Sequence, residues 1–365
     1  MINKKHLYLS LFVFIVLGVA LRIYNVGFQC FWYEETYTRT IAQMTFSQIW
    51  TVIISTDFTP PLFYYIEHIF GLLFGYGNDA LRAPSVIFGV ATIPAMYWLG
   101  KEYKDEIAGL FCAGVLATLY PMIYFSQFAR TYALTIFFFV IVLIYYIKMN
   151  NGNTDKKTIL LFGLMSGLCT WSHLYSAIPI GIMIADSIWT LKSPKLSVYL
   201  AMLYTVIIMP LIQMPYTLLN LRLKTRVTTD PNELQFGLKW YEMIATTPTE
   251  FFSTIFPFIG ILTVSGLFIE QINGRGKIAF KLIAIAIITI ISGIVLSPFT
   301  PMYPRYYLTV ATIFILIASV PVSYLSEHIK TGWKTIAVLL GTIIFFAFFQ
   351  NAELITHFVT QKYVC

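Results

Sequence analysis

Apolar runs long enough to cross a bilayer recur from one end of this sequence to the other. They fall at 7–24, 81–100, 107–125, 131–148, 158–173, 175–191, 197–218, 251–271, 278–297, 306–325 and 333–350. A run of roughly twenty apolar residues covers the hydrocarbon core as an α-helix, which satisfies its own backbone hydrogen bonds in lipid. The chain is therefore expected to be an all-α integral membrane protein, a polytopic bundle of about 11 transmembrane helices. Only 11% of its residues are charged, against roughly 25% in a soluble domain. The first run follows Lys4 and Lys5 and reaches Arg22 without a small-residue cleavage site, so it reads as an uncleaved first helix.

A further segment, 60–77, opens with Pro60-Pro61 and carries Glu67, His68, Gly71 and Gly75. Counting it as a span would invert every later loop. Left uncounted, it puts Lys4, Lys5, Lys101, Lys104, Lys148, Lys156, Lys157, Lys192, Lys195, Lys277, Lys281, Lys330 and Lys334 at cytoplasmic loops and flanking helix ends. The positive-inside rule favours that arrangement. The segment is thus expected to be a juxtamembrane or re-entrant helix, with the amino terminus cytoplasmic and the protein multi-pass in the cell membrane. The net charge of +7 then records topology and gives no reason to expect a nucleic-acid partner. The four cysteines, Cys30, Cys112, Cys169 and Cys365, lack metal-ligand spacing, and no metal site is expected from them.

On that topology the outer face collects the residues that carry chemistry. Glu34 and Glu35 sit in an aromatic cluster with Phe31, Trp32, Tyr33 and Tyr37, at the level where aromatic belts mark the membrane–water interface. Acids there, in a chain so poor in charge, point to function, and a partly desolvated carboxylate beside a second one suits a general base. Arg82, Arg130 and Arg305 share the face with His173, Gln127, Tyr132 and Tyr175, while the aromatic stretch around Tyr64 offers a sugar platform. Arginine pairs bidentately with phosphate and stays charged in apolar surroundings. The bland alternatives are headgroup-level charges for the glutamates, snorkelling anchors for the arginines, a structural role for His173 and packing for the aromatics of 60–70.

Four stretches together resemble a family. LRIYNVGFQCFWYEETYT is similar to the opening of GT-C membrane glycosyltransferases, among them the protein O-mannosyltransferase-like family (glycosyltransferase family 39) and the lipid A aminoarabinose transferases. FTPPLFYYIEHIFGLLFG resembles their Pro-Pro-Leu motif, ALRAPSVIFGVATIPAMYWLGKEY their Arg-x-Pro-Ser helix, and YFSQFARTYAL their Ser-Gln-x-x-Arg-x-Tyr stretch. The likeness covers at least 15–180 and extends compatibly to PRYY near 305. It implies a GT-C bundle that transfers a sugar from a polyprenyl-phosphate-linked donor to an unknown acceptor outside the membrane. By that likeness Glu34 and Glu35 are the catalytic pair, Arg130, Arg305, Arg82 and His173 hold the donor phosphate, and Tyr64, Gln127, Tyr132 and Tyr175 contact substrate.

Two departures stand out. Glu34 occupies the family's aspartate position, and Thr59 stands where relatives place His or Lys before Pro-Pro-Leu. A single transmembrane domain over 1–365 is expected, with the first outer loop at 25–80, a long outer loop at 219–250 and no separate soluble carboxyl-terminal domain. The resemblance demands no cofactor and leaves open a divalent cation bridging Glu34 and phosphate. Two other readings fit the same inventory, a flippase for lipid-linked sugars and an inactive relative. Acids gathered on one face argue against alternating access.

Overall fold

The computed structural model describes residues 4–56, 59–191, 240–297 and 302–328. The expected spans at 197–218 and 333–350, most of the 219–250 loop, and Asp57 lie outside these. Ten helices precede the first long gap: α1 (Lys4–Ile23), α2 (Tyr33–Ala42), α3 (Phe46–Thr56), α4 (Leu62–Phe74), α5 (Asn78–Tyr103), α6 (Glu106–Thr118), α7 (Tyr120–Tyr124), α8 (Tyr132–Asn150), α9 (Lys156–Ser172) and α10 (Ala177–Leu191). After it come α11 (Trp240–Phe252), α12 (Phe256–Ile272), α13 (Gly276–Leu296) and α14 (Ala311–His328). The fold is all-helical, with no strand among the described residues.

Among the described residues, six helical stretches are long and apolar enough to cross a membrane: Lys4–Ile23, Asn78–Tyr103, Tyr132–Asn150, Tyr241–Ile272, Gly276–Leu296 and Pro304–Glu327. Their outward faces carry exposed apolar side chains such as Phe12, Phe268, Val264 and Ile291. The centre is α5, α6 and α8; α14 packs on α6 and α5, and α12 packs on α14. Leu110, Phe111, Phe139, Leu143, Ile313 and Leu316 fill the space between.

The segment 60–77 forms a 13-residue helix, α4. At 1.5 Å per residue it reaches about 20 Å, short of a bilayer core of about 30 Å. It packs on α2, α3, α5 and α9. The span expected at 107–125 is broken instead of continuous. Leu119 is extended (φ −67°, ψ 119°), and Pro121 stands in the first turn of the short α7, where it has no N–H to continue the α6 ladder. Residues 240–250 were expected in a loop but are helical. Met243 and Phe251 bury one face of α11, giving that stretch a packing partner that its polar composition concealed.

Close approach of α5 and α6 depends on two glycines. A Cβ on Gly109 would lie 2.5 Å from the Tyr97 carbonyl oxygen, and one on Gly100 would lie 2.7 Å from that of Ala108. Small residues let helix backbones meet in this way. Asp105 starts α6 by accepting from the Ile107 and Ala108 N–H groups, both at 2.9 Å, an N-cap for two otherwise unsatisfied donors. Because backbone cannot yield as a flexible side chain can, Gly109→Ala is expected to lower stability by about 1–3 kcal/mol. Thermal unfolding of the detergent-purified variant measures this; an unchanged midpoint would show that the contact can open without cost.

Candidate active site

The loop after α8's predecessor elements, Phe125 to Thr131, is the junction that positions the site. Ser126 Oγ accepts from Arg22 Nε at 3.1 Å. The Arg22 guanidinium, fully buried, also donates to the Leu116 and Ala117 carbonyls at 2.9 and 3.0 Å. These belong to the last turn of α6, where carbonyls have no helical partner. Gln127 Nε2 reaches the carbonyls of Leu21, Arg22 and Tyr24 at 3.2, 3.2 and 2.9 Å, closing the end of α1. Thr131 Oγ1 donates to the Ser172 carbonyl at 2.6 Å, tying in α9. Gln127, expected at substrate, is therefore a helix cap whose amide nitrogen is already committed.

The adjacent glutamates have different surroundings. Trp32 is the N-cap of α2, which puts Glu34 at the second and Glu35 at the third helical position. Glu35 turns inward and is fully buried. Its Oε1 accepts from Arg82 Nε at 2.8 Å and from the Ala129 N–H at 2.9 Å. Its Oε2 accepts from Arg82 Nη2 at 2.8 Å and from the Trp32 N–H at 3.0 Å. Arg82 Nη1 donates to the Val26 and Gln29 carbonyls at 2.6 and 3.0 Å, and Nη2 to that of Cys30 at 3.2 Å. A guanidinium has five N–H donors, and here each has a protein acceptor. Arg82 has no donor left for phosphate, and Glu35 has no lone pair facing a substrate. Both expected roles give way to a structural one, holding the first loop on α5.

Glu34 turns outward, and its side chain keeps 35% of its exposure. Arg305 Nη2 donates to its Oε1 at 2.9 Å, and Arg130 Nε stands 3.8 Å from its Oε2. Arg305 lies over the Tyr303 ring, 4.3 Å from the centroid. Arg130 Nη1 donates to the Tyr64 hydroxyl at 3.2 Å. Tyr64 is fully buried, so it orients an arginine and cannot serve as an open platform. Buried His173 and Tyr132 and half-buried Tyr175 and Tyr306 form an aromatic group behind Arg305, with His173 5.4–6.0 Å from the other three rings. Tyr175 and Tyr306 stack at 5.4 Å. The structure thus brings Glu34, Arg130 and Arg305 together from positions 271 residues apart, with His173, Tyr132 and Tyr175 beneath them.

Glu34 and Arg305 open on a cavity of about 670 Å³, within the range of small-molecule sites. One wall is aromatic: Tyr120, Tyr124, Phe125 and Phe128 below, Trp32 and Tyr33 at the rim. The other is polar, made of Thr249, Glu250 and Ser253 where α11 meets α12. Ser253 adopts φ 52°, a left-handed conformation uncommon outside glycine. These three were not singled out from the sequence. The available signal was Glu250, an acid at the mouth of an apolar run. Among the described residues no three His, Cys, Asp or Glu side chains group as metal ligands. Two guanidiniums flank Glu34, surroundings that do not fit a divalent cation.

Comparison with known proteins follows this geometry. Residues 59–213 match the family model for dolichyl-phosphate-mannose-protein mannosyltransferase. No curated protein sequence matches the chain. Among solved structures it is similar to apo ArnT from Cupriavidus metallidurans, at 14% identity and TM-score 0.62, over 93% of this chain and 62% of that one. The same enzyme bound to undecaprenyl phosphate matches with 14% identity and TM-score 0.62, over 91% of this chain and 62% of that one. The oligosaccharyltransferase AglB of Archaeoglobus fulgidus, with an inhibitory peptide and a dolichol-phosphate, matches at 14% identity and TM-score 0.58, over 99% of this chain and 56% of that one. The chain has the GT-C fold of membrane glycosyltransferases, and it spans about three fifths of ArnT's length.

Glu67, on α4, is fully buried, and neither of its carboxylate oxygens has a hydrogen-bond partner. Burial, and secondarily the Glu35 charge, push its proton affinity well above the carboxylate norm. The folded chain therefore holds this proton more tightly than the unfolded chain does. The resulting stabilisation is complete below the ordinary carboxylate range and is lost as pH rises through the raised folded value. Glu67→Gln, neutral at every pH, is expected to gain in unfolding temperature relative to the parent between about pH 4 and about pH 8. A difference that stays constant across that range would mean the carboxyl is not protonated in the fold.

Proposed function

We propose that this protein transfers a sugar from a polyprenyl-phosphate-linked donor to an acceptor at the outer face of the membrane. The observation that carries the reading is the half-exposed Glu34 held between Arg130 and Arg305 on the wall of the aromatic cavity. The ArnT complex with undecaprenyl phosphate and the AglB complex with dolichol-phosphate support the donor class. Cys30, four residues before Glu34, is disulfide-bonded. That suits an oxidising compartment and, with the lysine distribution, supports the reading that the site faces outward.

In the proposed reaction the acceptor's nucleophile gives its proton to Glu34 and attacks the anomeric carbon. The bond from that carbon to the phosphate oxygen breaks, and its electron pair leaves with the polyprenyl phosphate. Arg305 and Arg130 face the leaving group as its negative charge grows, a fixed electrostatic stabilisation of the kind that dominates many active sites. Before donor enters, Glu34 offsets one of the two guanidinium charges and lies closest to Arg305. Phosphate arrival draws them off and releases the carboxylate for its role as base. His173, Tyr132 and Tyr175 set the position of Arg305 from below. Arg82 and Glu35 fix the loop and stay out of the chemistry.

Glu34→Gln is expected to reduce turnover by about 10²–10⁴-fold while the protein still folds and binds donor lipid. Glu35→Gln leaves the Arg82 charge buried without its partner, a change that costs about 3–5 kcal/mol, so it should lower the yield of folded protein. Full turnover per folded molecule in Glu34→Gln would sink the assignment.

The arginines separate by charge and shape. Arg305→Lys keeps the charge without the planar fork and should retain part of the activity, whereas Arg305→Ala loses a charge-assisted contact of about 1.5–3 kcal/mol, about ten- to a hundredfold in rate or donor affinity. If Arg305→Ala purifies normally and turns over donor at the parent rate, Arg305 is an anchor and not a phosphate ligand.

A further inference from the structure

A second cavity, of about 680 Å³, lies at the opposite end of the bundle. Arg82 stands near the start of α5 and Lys104 just past its end, so the two sites are about 33 Å apart at 1.5 Å per residue. Three turns converge on this cavity, those after α5, after α8 and between α12 and α13. Its cations are Lys104, Arg275, Lys277 and Lys281, and its acids are Glu102 and Glu270, an excess of two positive charges.

Two of the cations already have partners. Lys281 Nζ contacts Asp186 at 2.9 Å and Asn150 at 3.2 Å, and Lys104 lies 3.6 Å from the buried Glu270. Arg275 and Lys277 are exposed and have no ion pair among the described residues. They bracket Gly276, the first residue of the 21-residue α13, whose opening turn adds unfilled N–H donors and the positive end of a helix dipole. Tyr103 places a buried hydroxyl on the same wall, beside Glu270. The two helices that frame the cavity carry exposed apolar side chains, Phe268 and Ile272 on α12 and Phe280 on α13.

A cationic recess with donors, between helices that carry lipid-facing apolar side chains, has the charge of a headgroup site. We propose that this cavity binds an anionic phospholipid of the surrounding leaflet. Arg275, Lys277 and the first turn of α13 hold its phosphate, and its acyl chains lie along α12 and α13. The proposal is independent of the sugar-transfer reading, because it concerns the other end of the bundle and its test needs no turnover. Basic recesses between transmembrane helices recognise lipid headgroups on this principle.

The test is native mass spectrometry of full-length protein extracted from phosphatidylcholine vesicles doped with phosphatidylglycerol. The parent should retain phosphatidylglycerol in preference to phosphatidylcholine. The double variant R275Q/K277Q should retain it at least about tenfold less, with an unchanged thermal midpoint. A second double variant, K156Q/K157Q, removes the same charge from the exposed start of α9, outside the cavity, and should retain lipid like the parent. The proposal is overturned if R275Q/K277Q binds as the parent does, if K156Q/K157Q loses lipid equally, or if the parent does not prefer the anionic lipid. Complete displacement of the lipid by inorganic phosphate would also overturn it, since the acyl chains would then contribute nothing.

Discussion

The buried pair between Glu35 and Arg82 is the contact on which the arrangement of the site depends. It joins the first turn of α2 to the first turns of α5, and through the Ala129 N–H it reaches the junction after α7. The remaining donors of Arg82 gather the carbonyls of Val26, Gln29 and Cys30. A loop that would otherwise lie loose over the end of α1 is thereby fixed on three sides. Removing two charges from water costs several kcal/mol per ion, and only near-complete hydrogen bonding repays it. Here every lone pair and every N–H in reach has been matched. The pair fixes geometry, which is what a site assembled from distant segments needs.

Glu34 gains its position from that neighbour. Successive residues on a helix are about 100° apart, so with Glu35 directed inward, Glu34 must emerge on the adjacent face toward Arg130 and Arg305. The doublet is one buried anchor and one acid that faces the cavity. Its order in sequence determines which is which only once the helix start at Trp32 is known. Composition and motif could place both acids at the interface but could not divide the roles. The same holds for SQFARTY, where Ser126, Gln127 and Thr131 bind backbone or buried partners and Arg130 alone faces Glu34.

The all-helical class, the short helix at 60–77 and most of the described spans were legible because apolar length is a direct physical requirement of lipid. Arg130 and Arg305 drew notice because charges are rare in this chain, so each one demands a reason, and both come to lie at Glu34. Arg82 met the same criterion and was read as a phosphate ligand. Three of its five donors end on backbone carbonyls, which leave no trace in side-chain identity, and the other two on Glu35. Residues 240–250 were missed for a related reason. Their polar character suggested a loop, while the burial of Met243 and Phe251 arises from packing partners far along the chain.

The glutamate in the position where relatives of the resembled family carry aspartate can be understood from the same geometry. One additional methylene extends a side chain by about 1.5 Å. With α2 held by Glu35, the backbone cannot move to compensate for a shorter acid. The Glu34 carboxylate lies 2.9 Å from Arg305 Nη2, and one bond less would open that contact beyond hydrogen-bond range. Arg305 itself is fixed by its position over the Tyr303 ring and by the aromatic group beneath it. The reach of the acid and the placement of the arginine are thus a matched pair, set by two rigid supports on opposite walls of the cavity. Glutamate here is a dimension of the site and need not signal lost function.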